Sequence, residues 1–180
     1  LTTTSGDINL QSSLIQTNGA NGRGGQIGIA ATNYTSFNSS TVEATGYNQG
    51  GHILIGNDAN NAGNNSALPF SIFTNLDANS IIKANQTNLL NTTGGGFIET
   101  SGQTINLLSS INAGRGGMWL IDPSDILIDS GLASTISSSG GNVEITTSYS
   151  SGTVVSSGNG NIYVNSAINK TSGSLTFTPS

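Results

Sequence analysis

Short stretches in which polar and apolar residues alternate recur along the chain, each opened by a glycine. They are Gly25-Gln26-Ile27-Gly28-Ile29, Gly51-His52-Ile53-Leu54-Ile55, Gly117-Met118-Trp119-Leu120-Ile121, Gly141-Asn142-Val143-Glu144-Ile145 and Gly173-Ser174-Leu175-Thr176-Phe177. A period of two places alternate side chains on one face, and glycine lets the chain turn, so each stretch predicts a strand of about five residues. A second pattern occurs three times, at Ile8-Asn9-Leu10-Gln11-Ser12-Ser13-Leu14, Ile105-Asn106-Leu107-Leu108-Ser109-Ser110-Ile111 and Ile162-Tyr163-Val164-Asn165-Ser166-Ala167-Ile168. Its starts, 8, 105 and 162, are separated by close to five times and by three times about 19 residues. No window longer than about ten residues carries apolar positions at helical spacing, and Gly, Asn, Ser and Thr are poor helix interiors, so helices are nearly excluded. Only Leu68 to Leu76 is ambiguous.

A unit of about 20 residues with short strands predicts an all-β solenoid, a parallel β-helix with three strands per coil, rather than a sandwich of hairpins. About nine coils stacked at roughly 4.8 Å would form a rod near 43 Å long, and residues 1–180 are expected to be one such unit. The period breaks after Ile55, where Gly56 to Ser66 is rich in Gly and Asn and is followed by Leu68-Pro69-Phe70-Ser71-Ile72-Phe73. A loop excursion is expected near residues 56–79, with Phe70 and Phe73 either capping the groove beneath it or presented for contact.

Composition narrows the partners. Ser, Thr, Asn and Gly make up 96 of the 180 residues, whereas charged residues are only 7%. Ile, Leu, Val and Phe together are 24%, enough to fold. The formal charge is −5 and the four cations Arg23, Lys83, Arg115 and Lys170 are scattered, which makes nucleic acid a poor partner. The longest apolar stretches, such as Met118 to Ile121, fall far short of the roughly 20 residues a membrane helix needs, so no membrane insertion is expected. Cysteine is absent, which excludes disulfides and thiolate metal sites. The chain opens on Leu1 with no signal-like segment, and is expected to be a processed protein or a segment of a longer one.

Little here suggests catalysis. The single His52 lies in a predicted strand with no nucleophile elbow near it, and phosphate-loop and zinc motifs are missing; no cofactor or metal is expected. The one acidic constellation is Asp122, Asp125 and Asp129. In Asp125-Ile126-Leu127-Ile128-Asp129, alternation puts both aspartates opposite Ile126 and Ile128, facing solvent. Asp122 precedes Pro123, a pair that initiates turns, so its carboxylate is expected to bond nearby amides. Calcium binding and acid/base work on a glycan are the alternatives. Trp119 is expected to pack at a coil corner rather than to stack on sugar. Asn, Ser and Thr recurring once per coil are expected to form ladders. Asn-x-Ser/Thr sequons begin at Asn33, Asn38, Asn64, Asn85, Asn91 and Asn169.

The run Gly94-Gly95-Gly96-Phe97-Ile98-Glu99-Thr100-Ser101-Gly102, followed by Gly116-Gly117-Met118-Trp119-Leu120-Ile121-Asp122-Pro123-Ser124-Asp125-Ile126, resembles a segment of the large exoproteins that Gram-negative bacteria export by two-partner secretion, the filamentous haemagglutinin-like and high-molecular-weight adhesins. There a "GGFVETSG" stretch precedes a "WLLDP" motif about 20 residues later. Gly50-Gly51-His52-Ile53-Leu54-Ile55-Gly56-Asn57-Asp58 resembles the family's "GGxIxIGGD" element, with Asn57 where Gly is usual. The motifs cover about residues 50–130. The resemblance implies a right-handed parallel β-helix, an outer-membrane partner during export, location on the cell surface or in the medium, and a non-enzymatic part in adhesion or fibre building, here as the shaft, contacting a host or matrix glycan or protein. Gly116, Gly117, Trp119, Asp122 and Pro123 would be its structural motif. Two rivals stand beside it: the subunit of a self-assembling homopolymer joined end to end, and a β-helical polysaccharide lyase or hydrolase using the aspartates near Pro123. Thr-x-Thr repeats are too sparse for an ice-binding solenoid.

Overall fold

A computed structural model describes residues 1–58, 68–147 and 159–179. The chain runs through short strands in repeated passes. The first three passes are β1 (Thr2–Thr3), β2 (Ile8–Gln11) and β3 (Leu14–Gln16); β4 (Gln26–Ala31), β5 (Tyr34–Asn38) and β6 (Thr41–Glu43); β7 (His52–Ile55), β8 (Phe73–Leu76) and β9 (Ile81–Lys83). Next come β10 (Phe97–Gly102), β11 (Thr104–Leu107) and β12 (Ser110–Asn112), then β13 (Met118–Pro123), β14 (Ile126–Ile128) and helix α1 (Ser130–Ser138). β15 (Asn142–Thr146), β16 (Ile162–Val164) and β17 (Leu175–Thr178) follow.

Every ladder among the described residues is parallel. A seven-stranded first sheet has the order β1-β4-β7-β10-β13-β15-β17, the second sheet β2-β5-β8-β11, the third β3-β6-β9-β12, and β14 pairs with β16 alone. Each strand thus lies on its counterpart from the previous pass. The five glycine-led stretches all become strands of the first sheet, as their alternation predicts.

The pass length departs from the expected even period. In the first sheet Ile27 pairs with Ile53, Ile53 with Ile98, Ile98 with Trp119, Trp119 with Val143 and Val143 with Leu175. In the second, Ile8 pairs with Thr35, Thr35 with Thr74 and Thr74 with Ile105, so the separation between the first two copies of the Ile-Asn-Leu pattern is three passes, not five. Turns of unequal length absorb the difference, and the described first sheet has seven strands where nine coils were expected.

Inward residues from the three sheets form one core: Ile29, Ile55, Ile98, Trp119 and Ile121 from the first, Phe37, Leu76 and Leu107 from the second, Val42, Ile82 and Ile111 from the third. Ala44, Ala84 and Ala113 stack just after the third-sheet strands. Polar ladders do form: Asn106 Nδ2 donates to Asn75 Oδ1 at 2.7 Å, and the backbone N–H of Ser13 and Ser40 donate to the hydroxyls of Ser40 and Ser80 at 3.2 and 3.1 Å.

Two expectations are corrected. A helix is present in the fifth pass: α1 replaces a third-sheet strand, buries Leu132, Ala133, Thr135 and Ile136, and starts at Asp129, whose carboxylate accepts the Leu132 N–H at 2.9 Å. Hydroxyls of Ser137, Ser138 and Ser139 donate to carbonyls three or four residues back, so the serines satisfy themselves on the helix. The excursion is also shorter than 56–79, because Phe73–Leu76 is strand β8. Its middle, including the Asn64 sequon, lies outside the described residues. Its far end folds back: Leu68 is buried with Ala30 and Leu54 against Phe97, over the outward face of the first sheet.

Candidate functional site

Several outward-facing positions of the first sheet are closed to solvent. Outward-facing side chains of a surface sheet normally meet water, yet Leu54, Glu99, Ser101, Leu120 and Asp122 are each at most 1% exposed. Glu99 of β10 and Glu144 of β15 both pair in register with Leu120 of β13, one from each side, and Ser101 pairs with Asp122. Three carboxyl groups therefore share one face of three adjacent strands.

Asp122 is the extreme member. Neither carboxylate oxygen has a hydrogen-bond partner. Burial, reinforced by the nearby Glu99 and Glu144 charges, pushes its pKa up to about 8, so it is protonated at neutral pH. The expectation of a turn residue bonding backbone amides is overturned: Asp122 and Pro123 are the last two residues of β13, and Pro123 pairs with Gly102. Ser101 Oγ donates to Glu99 Oε1 at 2.7 Å beside it.

The grouping of Asp122 with Asp125 and Asp129 is likewise not the one the fold makes. Asp125 accepts the backbone N–H of Asn159 on both oxygens at 3.0 and 3.1 Å and that of Asn161 at 2.8 Å, tying the start of β14 to the strand below. Asp129 caps α1. Leu127 is exposed between the buried Ile126 and Ile128, and Asp125 and Asp129 line a 420 Å³ cleft with it, Leu132 and Tyr163, but Asp125 spends its carboxylate on backbone rather than on solvent. The trio of Glu99, Asp122 and Glu144 was missed because Asp122 sits one residue beyond its glycine-led stretch; aligning Gly96-Phe97-Ile98-Glu99 on Gly141-Asn142-Val143-Glu144 would have put both glutamates on one rung.

Trp119 is fully buried as the second residue of β13, between Ile98 and Val143, with Nε1 donating to Thr100 Oγ1 at 3.0 Å. It packs as expected, but inside a strand rather than at a corner, and no face of it is open to a sugar. Gly116 turns the chain at φ +74°, and a Cβ on Gly117 would collide with the Ala113 carbonyl oxygen, which explains the paired glycines before the tryptophan. Asn57 is not among the described residues with positive φ.

Phe70 is buried, and Phe73, the first residue of β8, is half-buried with its ring edge-on to Tyr34 at 6.0 Å. Neither is presented as an exposed contact residue. His52 is half-buried in β7, packs edge-on to Phe97 at 5.8 Å, and has Nε2 2.6 Å from Arg23 Nη2; since guanidinium only donates, Nε2 accepts and the ring proton sits on Nδ1. No group of three or more His, Cys, Asp or Glu among the described residues is placed to hold a metal ion. No described helix is long and apolar enough to cross a membrane. No family model, curated protein or solved structure matches this chain.

Proposed function

We propose that this chain is a non-enzymatic shaft segment of a secreted bacterial surface adhesin or extracellular fibre, wound as a right-handed parallel β-helix and exported through an outer-membrane partner. The observation that carries this reading is the register of β10 on β13. The two stretches that resemble the exoproteins, Phe97–Gly102 and Met118–Pro123, lie side by side over their whole length, one pass apart. Their spacing of about 20 residues is thereby the length of one turn of the winding, and parallel crossovers of this kind are right-handed in nearly all proteins. A stack of this design stiffens with each added pass and needs no ligand to do its work.

Placed behind the secretion domain of an exoprotein of this class and co-expressed with that protein's outer-membrane transporter in a Gram-negative host, the chain is expected at the cell surface or in the medium, with a β-dominated circular dichroism spectrum after release. Retention in the periplasm, or a spectrum dominated by helix, overturns the proposal. A second reading, self-association between end strands, draws on exposed apolar residues there: Leu14 in β3, Tyr163 and Val164 in β16 and Phe177 in β17. Further passes of a longer chain would cover them equally well.

A further inference from the structure

The second sheet stops at β11. In the first sheet the fourth and fifth passes stay in register to the end of their ladder, where Gly102 pairs with Pro123. Carried on, the same register would set Ile105 on Ile126 and Leu107 on Ile128, yet β14 forms no ladder with β11 and pairs with β16 instead. Cα atoms of β11 and β14 lie, with few exceptions, more than 8 Å apart. Hydrogen-bonded strands sit about 4.8 Å apart, so this separation is too wide for direct pairing and fits two strands with a third between them. The 420 Å³ cleft occupies that interval, with Ile105 on one side and Leu127 on the other.

Both strand edges are turned into this cleft. Thr104 and Leu108 donate their backbone N–H to the Ile72 and Leu76 carbonyls at 3.0 and 2.9 Å, so the main chain faces β8 at these positions and at Asn106 between them. Main-chain groups alternate in direction along a strand, which turns the N–H and C=O of Ile105 and Leu107 away from β8 and toward β14. On β14, the Ile126 N–H donates to the Asn161 carbonyl at 2.9 Å, and the Ile128 carbonyl accepts the Asn165 N–H at 3.0 Å. Leu127 therefore presents its main chain to β11. No strand among the described residues pairs with either edge. Such edges are templates for a further strand, because their donors and acceptors have no ladder partner. The side chains add a chemical preference. Leu127 and Tyr163 are each 54% exposed, Asp129 is exposed with one oxygen used by the Leu132 N–H, and no cation lines the cleft.

We propose that the cleft takes up an extended peptide segment of another protein as a parallel strand between β11 and β14. Its main chain bonds Ile105 and Leu107 on one side and Leu127 on the other, an aliphatic side chain lies against Leu127 and Tyr163, and a lysine or arginine two residues on meets Asp129. Main-chain bonds supply the affinity in strand addition of this kind, and alternate side chains supply the selectivity. A second copy of this chain is a poorer occupant: β9 is the only described strand with a Lys or Arg, and it is already paired on both sides, by β6 and β12. Nothing in this assignment depends on the shaft reading; failed secretion leaves it standing, and failed binding leaves the shaft standing.

The test is amide hydrogen exchange, followed by NMR on the intact chain, with and without the peptide acetyl-Thr-Val-Leu-Val-Lys-Thr-amide. At about ten times its Kd the peptide is expected to slow exchange at Ile105, Leu107 and Leu127 on the order of tenfold. The same peptide methylated on alternate backbone nitrogens is expected to give no protection, and one with Glu in place of Lys to bind about threefold more weakly. Leu127→Pro removes an N–H that faces the cleft and none that β16 uses, and is expected to weaken the peptide about fivefold. Asp129→Asn keeps a side chain that caps α1 and is expected to abolish the preference for Lys over Glu. Absence of protection, equal binding of the methylated or the Glu peptide, or an undiminished Lys preference in Asp129→Asn would each overturn the proposal. So would protection of the three amides before any peptide is added, which an occupant from this chain or from a second copy would give.

Discussion

Asp122 holds the sharpest conflict between local chemistry and fold. Its ordinary pKa is 3.8, and burial beside Glu99 and Glu144 raises it to about 8. An unfolded chain ionises between those values while the folded one keeps the proton, so the unfolded state gains as pH rises through this window. Asp122 therefore costs the fold about 1.4 kcal/mol per pH unit from 3.8 towards 8, with no cost at lower pH and a constant one above. Asp122→Asn, which keeps the shape and cannot ionise, is expected to remove that slope. Denaturant melts at several pH values check this: the stability gap between variant and wild type should widen from pH 4 to pH 8, and parallel curves would show that the carboxyl ionises freely in the fold.

Among the elements, α1 shows how a short capping signal can outweigh poor propensity. Its interior is mostly serine and threonine, residues that favour turns because they compete for backbone groups, but here their hydroxyls bond the helix's own carbonyls. Leu132 and Ile136, one turn apart, face the core. The legible signal was Asp129 followed by that pair. Asp129→Ala is expected to cost about 1 kcal/mol through the lost cap, read as a lower urea midpoint with an unchanged slope. Strands were easier to read than this helix: the five glycine-led stretches all form strands, and the structure places them in one sheet.

On the scale of the whole molecule, stacking sets the length. Seven strands of the first sheet span about 29 Å at the usual spacing, not the 43 Å that an even 20-residue coil implies. Solution scattering and electron microscopy across a range of concentrations are expected to show short rods of that order. Filaments repeating at about 34 Å, seven spacings, would instead establish end-to-end stacking of whole chains. The same stacking brings four separate turns together as a groove at the corner between the third and first sheets, and folds Leu68 over Leu54 and Ala30.

From the sequence alone came the parallel β class, five of the seven strands of the first sheet and the buried packing of Trp119, because alternation and glycine placement act within a few residues. Tertiary structure decided the pass lengths, the burial of Asp122 beside Glu99 and Glu144, and the groove. Each of these depends on which turns are long and what folds back over the sheet. Those are contacts between residues 20 to 45 apart, and a repeat pattern read along the chain carries no record of them.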